Sequence, residues 1–144
     1  MSTYTHALTQ NLATWFESLS PQSLVQIEQF YEADAYFKDP FNEVRDVKRI
    51  QLIFQDMFTE FEHPRFVIQE QICDDDKRQS VLTWHFLFNW RGKAWCIVGS
   101  SHLRFGSTGL VIYHRDYWDA SEELYEKLPV IGFVLKALKK RAQK

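Results

Sequence analysis

Between Ser80 and Phe105 the chain alternates apolar and polar residues with a period of two, interrupted once by Arg91-Gly92. A two-residue break with a glycine between two alternating runs is a hairpin signal. It demands two long antiparallel strands, Ser80 to Trp90 and Lys93 to Phe105, and sets their register. Phe88 lies opposite Trp95, Phe86 opposite Ile97, Trp84 opposite Gly99, and Leu82 opposite Ser101. A second break, Gly106-Ser107-Thr108-Gly109, leads into a last strand, Leu110 to Trp118. Taken as a loop, it sets Leu103 against Ile112, Ser101 against His114, Gly99 against Asp116, and Ile97 against Trp118. Side chains alternate across a strand, so all of these share one face. The polar exceptions on that face are Ser101, His114 and Asp116. An aspartate on an apolar floor is costly unless it is partnered, and Gly99 is expected to leave space beside it. A slip of one residue in either hairpin would reverse the assignment.

The rest of the chain supplies what covers this sheet. Leu8, Leu12, Trp15, Phe16 and Leu19 recur at helical spacing. Ser20-Pro21 reads as an N-cap and a first-turn proline opening a second helix that carries Leu24, Ile27, Phe30 and Tyr31. Ala35 to Asp39 is a short strand stopped by Pro40. A third helix, capped by Asp46, carries Val47, Ile50, Ile53, Phe54, Met57, Phe58 and Phe61. Arg65 to Cys73 is a strand, with Asp74 to Lys77 as its turn. Three helices followed by a long antiparallel meander specify an α+β domain. Its sheet is strongly curved and cone-shaped, with the three N-terminal helices covering one face.

One hundred and forty-four residues suffice for one domain with a substantial core. Aromatic residues make up 16% of them, more than simple core filling needs. An aromatic-lined cavity or a buried dimer face would use the surplus. A net charge of −2 gives no electrostatic reason to expect nucleic-acid binding. Cys73 and Cys96 are read as reduced, small, buried side chains. No set of ligands converges, so neither a metal nor a cofactor is expected. With no signal peptide or membrane-length apolar run, the expected location is cytoplasmic.

The segment Ala35-Tyr36-Phe37-Lys38-Asp39-Pro40 is similar to the strand of ketosteroid isomerases that carries their catalytic base. The stretch Phe88 to Phe105, ending His102-Leu103-Arg104-Phe105, resembles their corresponding hairpin. The order of elements resembles the SnoaL-like and nuclear transport factor 2-like superfamily across roughly residues 5–118. The resemblance implies that Asp39 is a general base acting next to a ketone. It also puts Trp15 where those isomerases use a tyrosine donor, and Ser101 where they use a protonated acid. Neither replacement is equivalent, and losing preorganised oxyanion donors costs several kcal/mol of transition-state stabilisation. Ketosteroid isomerisation is therefore not expected.

Candidate catalytic residues are Asp39, Asp116 and His114. Asp39 also reads as a turn aspartate bonding local backbone before Pro40. Asp116 and His114 also read as a structural pair, and Ser101 lies mid-strand, which argues against a nucleophilic triad. Candidate ligand-binding residues are Trp15, Phe58, Trp84, Phe86, Phe88, Trp95, Gly99, Ser101 and Trp118, any of which could equally be core. The expected partners are a hydrophobic small molecule and a second copy of the chain. The outer sheet face, with Val81, Leu87, Tyr113 and Tyr117, is aromatic enough for a dimer contact. Residues 1–120 form the domain, and 121–144 read as a helical extension packed on it. From Pro129 onward that extension carries five Lys or Arg residues and no acid. A membrane-surface contact is the lesser expectation for it. Two functions stay open, a ligand-binding domain and an acid/base enzyme of isomerase, cyclase or hydrolase type acting on a hydrophobic carbonyl or epoxide compound.

Overall fold

The structure is a computed structural model and describes residues 4–119. The first helix, α1, spans Tyr4–Glu17 and buries Leu12, Ala13, Trp15 and Phe16. The second helix takes a different form. A 3₁₀ stretch covers Ser23–Gln29, burying Leu24 and Ile27, and the chain turns extended at Tyr31. The N-cap of this stretch is not Ser20 but Gln22, without a side-chain cap bond; the Ser20 Oγ accepts from the Ser23 N–H at 3.0 Å in the turn before it. The stretch is short, the length at which 3₁₀ turns commonly serve as connectors.

Strand β1, Tyr31–Lys38, is four residues longer at its start than the spacing suggests. A short β2, Glu43–Arg45, pairs back onto it. Helix α2, Val47–Glu60, begins where expected, with the Asp46 side chain accepting from the Lys48 N–H at 2.7 Å. Then come β3, Glu62–Asp74; β4, Gln79–Trp90; β5, Lys93–Phe105; and β6, Val111–Tyr117. The six strands form one sheet in the order β2-β1-β6-β5-β4-β3. All neighbours are antiparallel except β1 and β6, which run parallel, so the sheet is not purely antiparallel.

The long hairpin has the expected register at every pair from Leu82–Ser101 to Phe88–Trp95. Arg91 and Gly92 both adopt positive φ, 50° and 74°, the geometry of a two-residue turn matched to strand twist. The second hairpin differs by two positions. Leu103 faces His114 and Ser101 faces Asp116, not Ile112 and His114. An irregularity between Arg104 and Phe105 brings Val111 inward, fully buried, and leaves Ile112 outside at 41% exposure. A shift of two preserves the face, so Ser101, His114 and Asp116 still point inward.

The core lies between this inner face and the helices. Alternate β4 residues Ser80, Leu82, Trp84, Phe86 and Phe88 are buried, meeting Phe16, Phe54 and Phe66 from α1, α2 and β3. Gly99 leaves no open space. A Cβ there would come within 2.8 Å of Trp84 Cζ2 and Cζ3, so the Trp84 indole already fills it. Cys73 and Cys96 are free but half-buried, not buried. The C-terminal extension lies outside the described residues.

Candidate functional site

The parallel pairing of β1 with β6 builds the site. Phe37 pairs with His114 and Lys38 with Arg115, so continuing the register brings Asp39, at the end of β1, beside Asp116. Both carboxylates enter one cavity of about 100 Å³ between the sheet and α2. Trp84, Phe86 and Ile97 from β4 and β5 line its floor, and Phe54 and Met57 from α2 its roof. Phe41, Phe61, Phe66 and Trp118 close its sides. Its polar lining is Asp39, Asn42 and Asp116 near the strand ends and Asp56 on α2, in a mostly aromatic space.

Asp39 is held by its own turn. Its Oδ1 accepts the backbone N–H groups of Phe41 at 2.8 Å and Asn42 at 2.6 Å. The Asn42 side-chain amide lies 3.0 Å from both carboxylate oxygens. Burial pushes the Asp39 carboxyl up from 3.8 to about 6. The hydrogen bonds from Asn42 and Phe41 oppose that rise, and the negative charge of Asp116 adds to it. Asp39 is thus both a turn aspartate and a cavity carboxyl, the two readings its sequence context left open.

Asp116 is held by His114, two residues away, and by Ser101, fifteen residues away, each braced in turn from a distant strand. Its Oδ1 accepts from Ser101 Oγ at 2.5 Å and pairs with His114 Nε2 at 2.6 Å. Behind Ser101, Trp84 Nε1 donates to its Oγ at 2.9 Å. Behind His114, Tyr31 Oη lies 2.7 Å from Nδ1. Burial, reinforced by the charge of Asp116, raises Tyr31 well above its ordinary value, so its O–H is retained. The His114 ring thus links the two groups, Nδ1 to the Tyr31 hydroxyl and Nε2 to the Asp116 carboxylate. Two donor chains converge on one oxygen. Among the described residues no hydrogen bond reaches Asp116 Oδ2.

The other sequence candidates divide. Trp84, Phe86 and Trp118 line the cavity. Ser101 is buried beneath it and acts through Asp116, and Gly99 lies under Trp84. Phe88 is core, clustered with Phe86 and Phe61. Phe58 and Trp95 are half-buried and do not line the cavity. Trp15 stacks on Phe30 and spends its indole N–H on the Ser23 carbonyl at 3.2 Å, so it offers a ligand no donor. Sequence reasoning missed Tyr31, whose role depends on pairing across the whole chain. It also missed Phe41 and Asn42, for which the Asp-Pro turn was an available signal.

Helices packed on a curved sheet around a lined cavity, with an aspartate at the end of the first strand, define a cone-fold domain of α+β type. Residues 12–114 match the SnoaL-like domain family, and the chain belongs to it. No curated protein matches. Solved structures share the fold at low identity. An NTF2-like protein of unknown function from Burkholderia pseudomallei is 12% identical with a TM-score of 0.71, over 85% of this chain and 96% of that one. An NTF2-like protein from Burkholderia thailandensis is 12% identical with a TM-score of 0.70, over 88% and 97%. A hypothetical protein with a ketosteroid isomerase-like fold from Catenulispora acidiphila, in complex with trimethylamine, is 14% identical with a TM-score of 0.67, over 82% and 89%. Among the described residues no helix is long and apolar enough to cross a membrane.

Proposed function

We propose that this chain binds a small, largely apolar molecule with one polar end inside the cone. The observation that carries this reading is the asymmetry of the cavity, aromatic on most sides and bearing Asp39 and Asp116 together on one. Apolar walls with a few convergent polar groups are the usual form of a ligand site. A cavity of about 100 Å³ has the room of roughly three waters, which suits a compact molecule better than a steroid.

A second reading, acid/base catalysis on the bound molecule, is favoured by one observation. The Asp39 carboxyl is raised to about 6, where a carboxyl both takes and returns a proton near neutral pH. Asp39 is then the base, and Asp116 with His114 assists by holding the polar end. The missing oxyanion donors at Trp15 and Ser101 speak against steroid isomerisation by the family mechanism.

The outer sheet face supports a homodimer. Ile72, Val98, Ile112 and Tyr117 are 41–59% exposed there, an apolar set unusual for a solvent-facing sheet. Native mass spectrometry of the freshly purified chain, followed by denaturation, addresses both points. The expected result is a dimer mass and release of one small apolar compound per chain. An empty chain that stays empty against small aromatic alcohols, ketones and amines removes the ligand reading, and a monomer at micromolar concentration removes the dimer.

A further inference from the structure

We propose that the molecule taken by this cavity is a small organic cation, an amine protonated at neutral pH or a quaternary ammonium. The inference rests on the cavity being a binding site and names the class of its ligand. Three features of the lining lead to it.

The first is the sign of the charge. The ionisable side chains lining the cavity are Asp39, Asp56 and Asp116, and no Lys, Arg or His is among the described residues that line it. The basic residues next to the two strand-end carboxylates, Lys38 and Arg115, line the adjoining outer cleft with Asp39 and Asp116, and each is engaged there by another group. Lys38 pairs with Glu43 at 3.6 Å, and the Arg115 guanidinium lies 4.8 Å from the centre of the Tyr117 ring. A low-dielectric cleft lined by one sign concentrates its field on ligands of the other sign.

The second is the wall material. Trp84, Trp118 and six phenylalanines surround the space, and ring faces attract cations, tryptophan most strongly. A neutral ligand would gain from the same area, but an anion would face both rings and carboxylates of the wrong polarity. A bare metal ion is poorly served. Among the described residues no three His, Cys, Asp or Glu side chains gather as ligands. An N–H or N-methyl group suits rings on one side and a carboxylate on the other.

The third is the unused acceptor. Asp116 Oδ1 already takes Ser101 and His114, whereas Oδ2 accepts from none of the described residues. A carboxylate held by one oxygen presents the other in a fixed position, which suits a donor carried in by the ligand. Asp39 lies beside it, so a single positive centre would meet both charges.

Isothermal titration of the full chain at pH 7.5 with matched pairs tests the inference. Benzylammonium is compared with benzyl alcohol, and choline with 3,3-dimethylbutan-1-ol, each pair nearly equal in shape and differing in charge. At least one cation is expected to bind tenfold or more tightly than its neutral partner. Asp39→Asn is expected to reduce that preference severalfold, the cation losing more affinity than its neutral partner. Equal or tighter binding of the neutral partners overturns the cationic class and leaves the cavity as a binding site. A preference untouched by Asp39→Asn places the cation elsewhere and also overturns the inference. No binding of any of the four at millimolar concentration removes the binding reading itself.

Discussion

Asp39 and Asp116 sit on neighbouring strands and enter the same cavity, yet they are built in opposite ways. Every hydrogen bond to Asp39 comes from within three residues, from Phe41 and Asn42. Asp116 is held by Ser101, fifteen residues away, and by His114, only two residues away but itself braced by Tyr31 across 83 residues. The first carboxylate belongs to a turn that the local sequence makes by itself. The second exists only once three strands have come together. A turn can position a charged group cheaply but cannot choose its surroundings. A buried relay chooses both the side chain's orientation and its donors, at the cost of depending on the whole fold.

The sharpest test of this contrast is His114→Ala. His114 is 2% exposed, and its ring meets Phe16, Phe37 and Phe54. Its removal opens a cavity and leaves Tyr31 and Asp116 each short of a partner. We expect a loss of about 3–4 kcal/mol in urea unfolding. A loss under about 1 kcal/mol would show that the relay is ornamental and the contrast false.

Asp39→Asn should act in the other direction. The folded state holds the Asp39 proton more tightly than the unfolded chain, at about 6 against 3.8. Stability from this group is therefore complete below about pH 4 and is lost as pH rises to about 6, by at most roughly 3 kcal/mol. The amide carries no such loss, and its oxygen can still accept from Phe41 and Asn42. The variant should gain on the wild type across pH 4–6 and stay about 1–3 kcal/mol ahead above that window. Unfolding free energies measured at pH 4, 5, 6 and 7.5 give the profile, and a flat difference would mean the carboxyl is not desolvated by the fold.

Tyr31→Phe sharpens the comparison with the smallest change. It deletes one hydroxyl and leaves His114 Nδ1 without its hydrogen-bond partner, at a cost of about 1–2 kcal/mol. An effect near zero would place the anchor of His114 in its ring contacts and not in the hydrogen bond. If the relay acts as a unit, combining this change with Ser101→Ala gives a loss different from the sum of the two.

The same contrast explains what could be read from the sequence. The long hairpin, its turn and its inner face follow from side-chain alternation and Arg91-Gly92, because strand period and a two-residue turn are local rules. So does the Asp46 cap on α2. Asp39 was identifiable from its place before Pro40. The second hairpin's register was not, because one irregularity beside Phe105 changes the pairing and no residue there announces it. Tyr31 was read as helical because Leu24, Ile27, Phe30 and Tyr31 fit a helix face. Pairing with β6 overrode that preference. The short 3₁₀ stretch and β2 were equally hidden in segments whose own propensities are weak. Trp84 filling the place above Gly99 could not be foreseen either, since a glycine signals close approach without saying by what.

The lone parallel pairing also orders events in time. Strand β1 is made early in synthesis, but both its cavity partner and the relay anchor of Tyr31 lie on β6, near the end of the described chain. The β3–β6 meander forms by short-range hairpins, whereas β1 must wait and close a loop spanning most of the domain. Such distant closures are slow. On a ribosome the cavity therefore closes late, and until β6 arrives the β1 edge that carries Tyr31 and Phe37 toward it stays open, although β2 already pairs along the other edge. Any factor that guards the nascent chain has its reason to bind there, and any change that delays β6 prolongs that exposure.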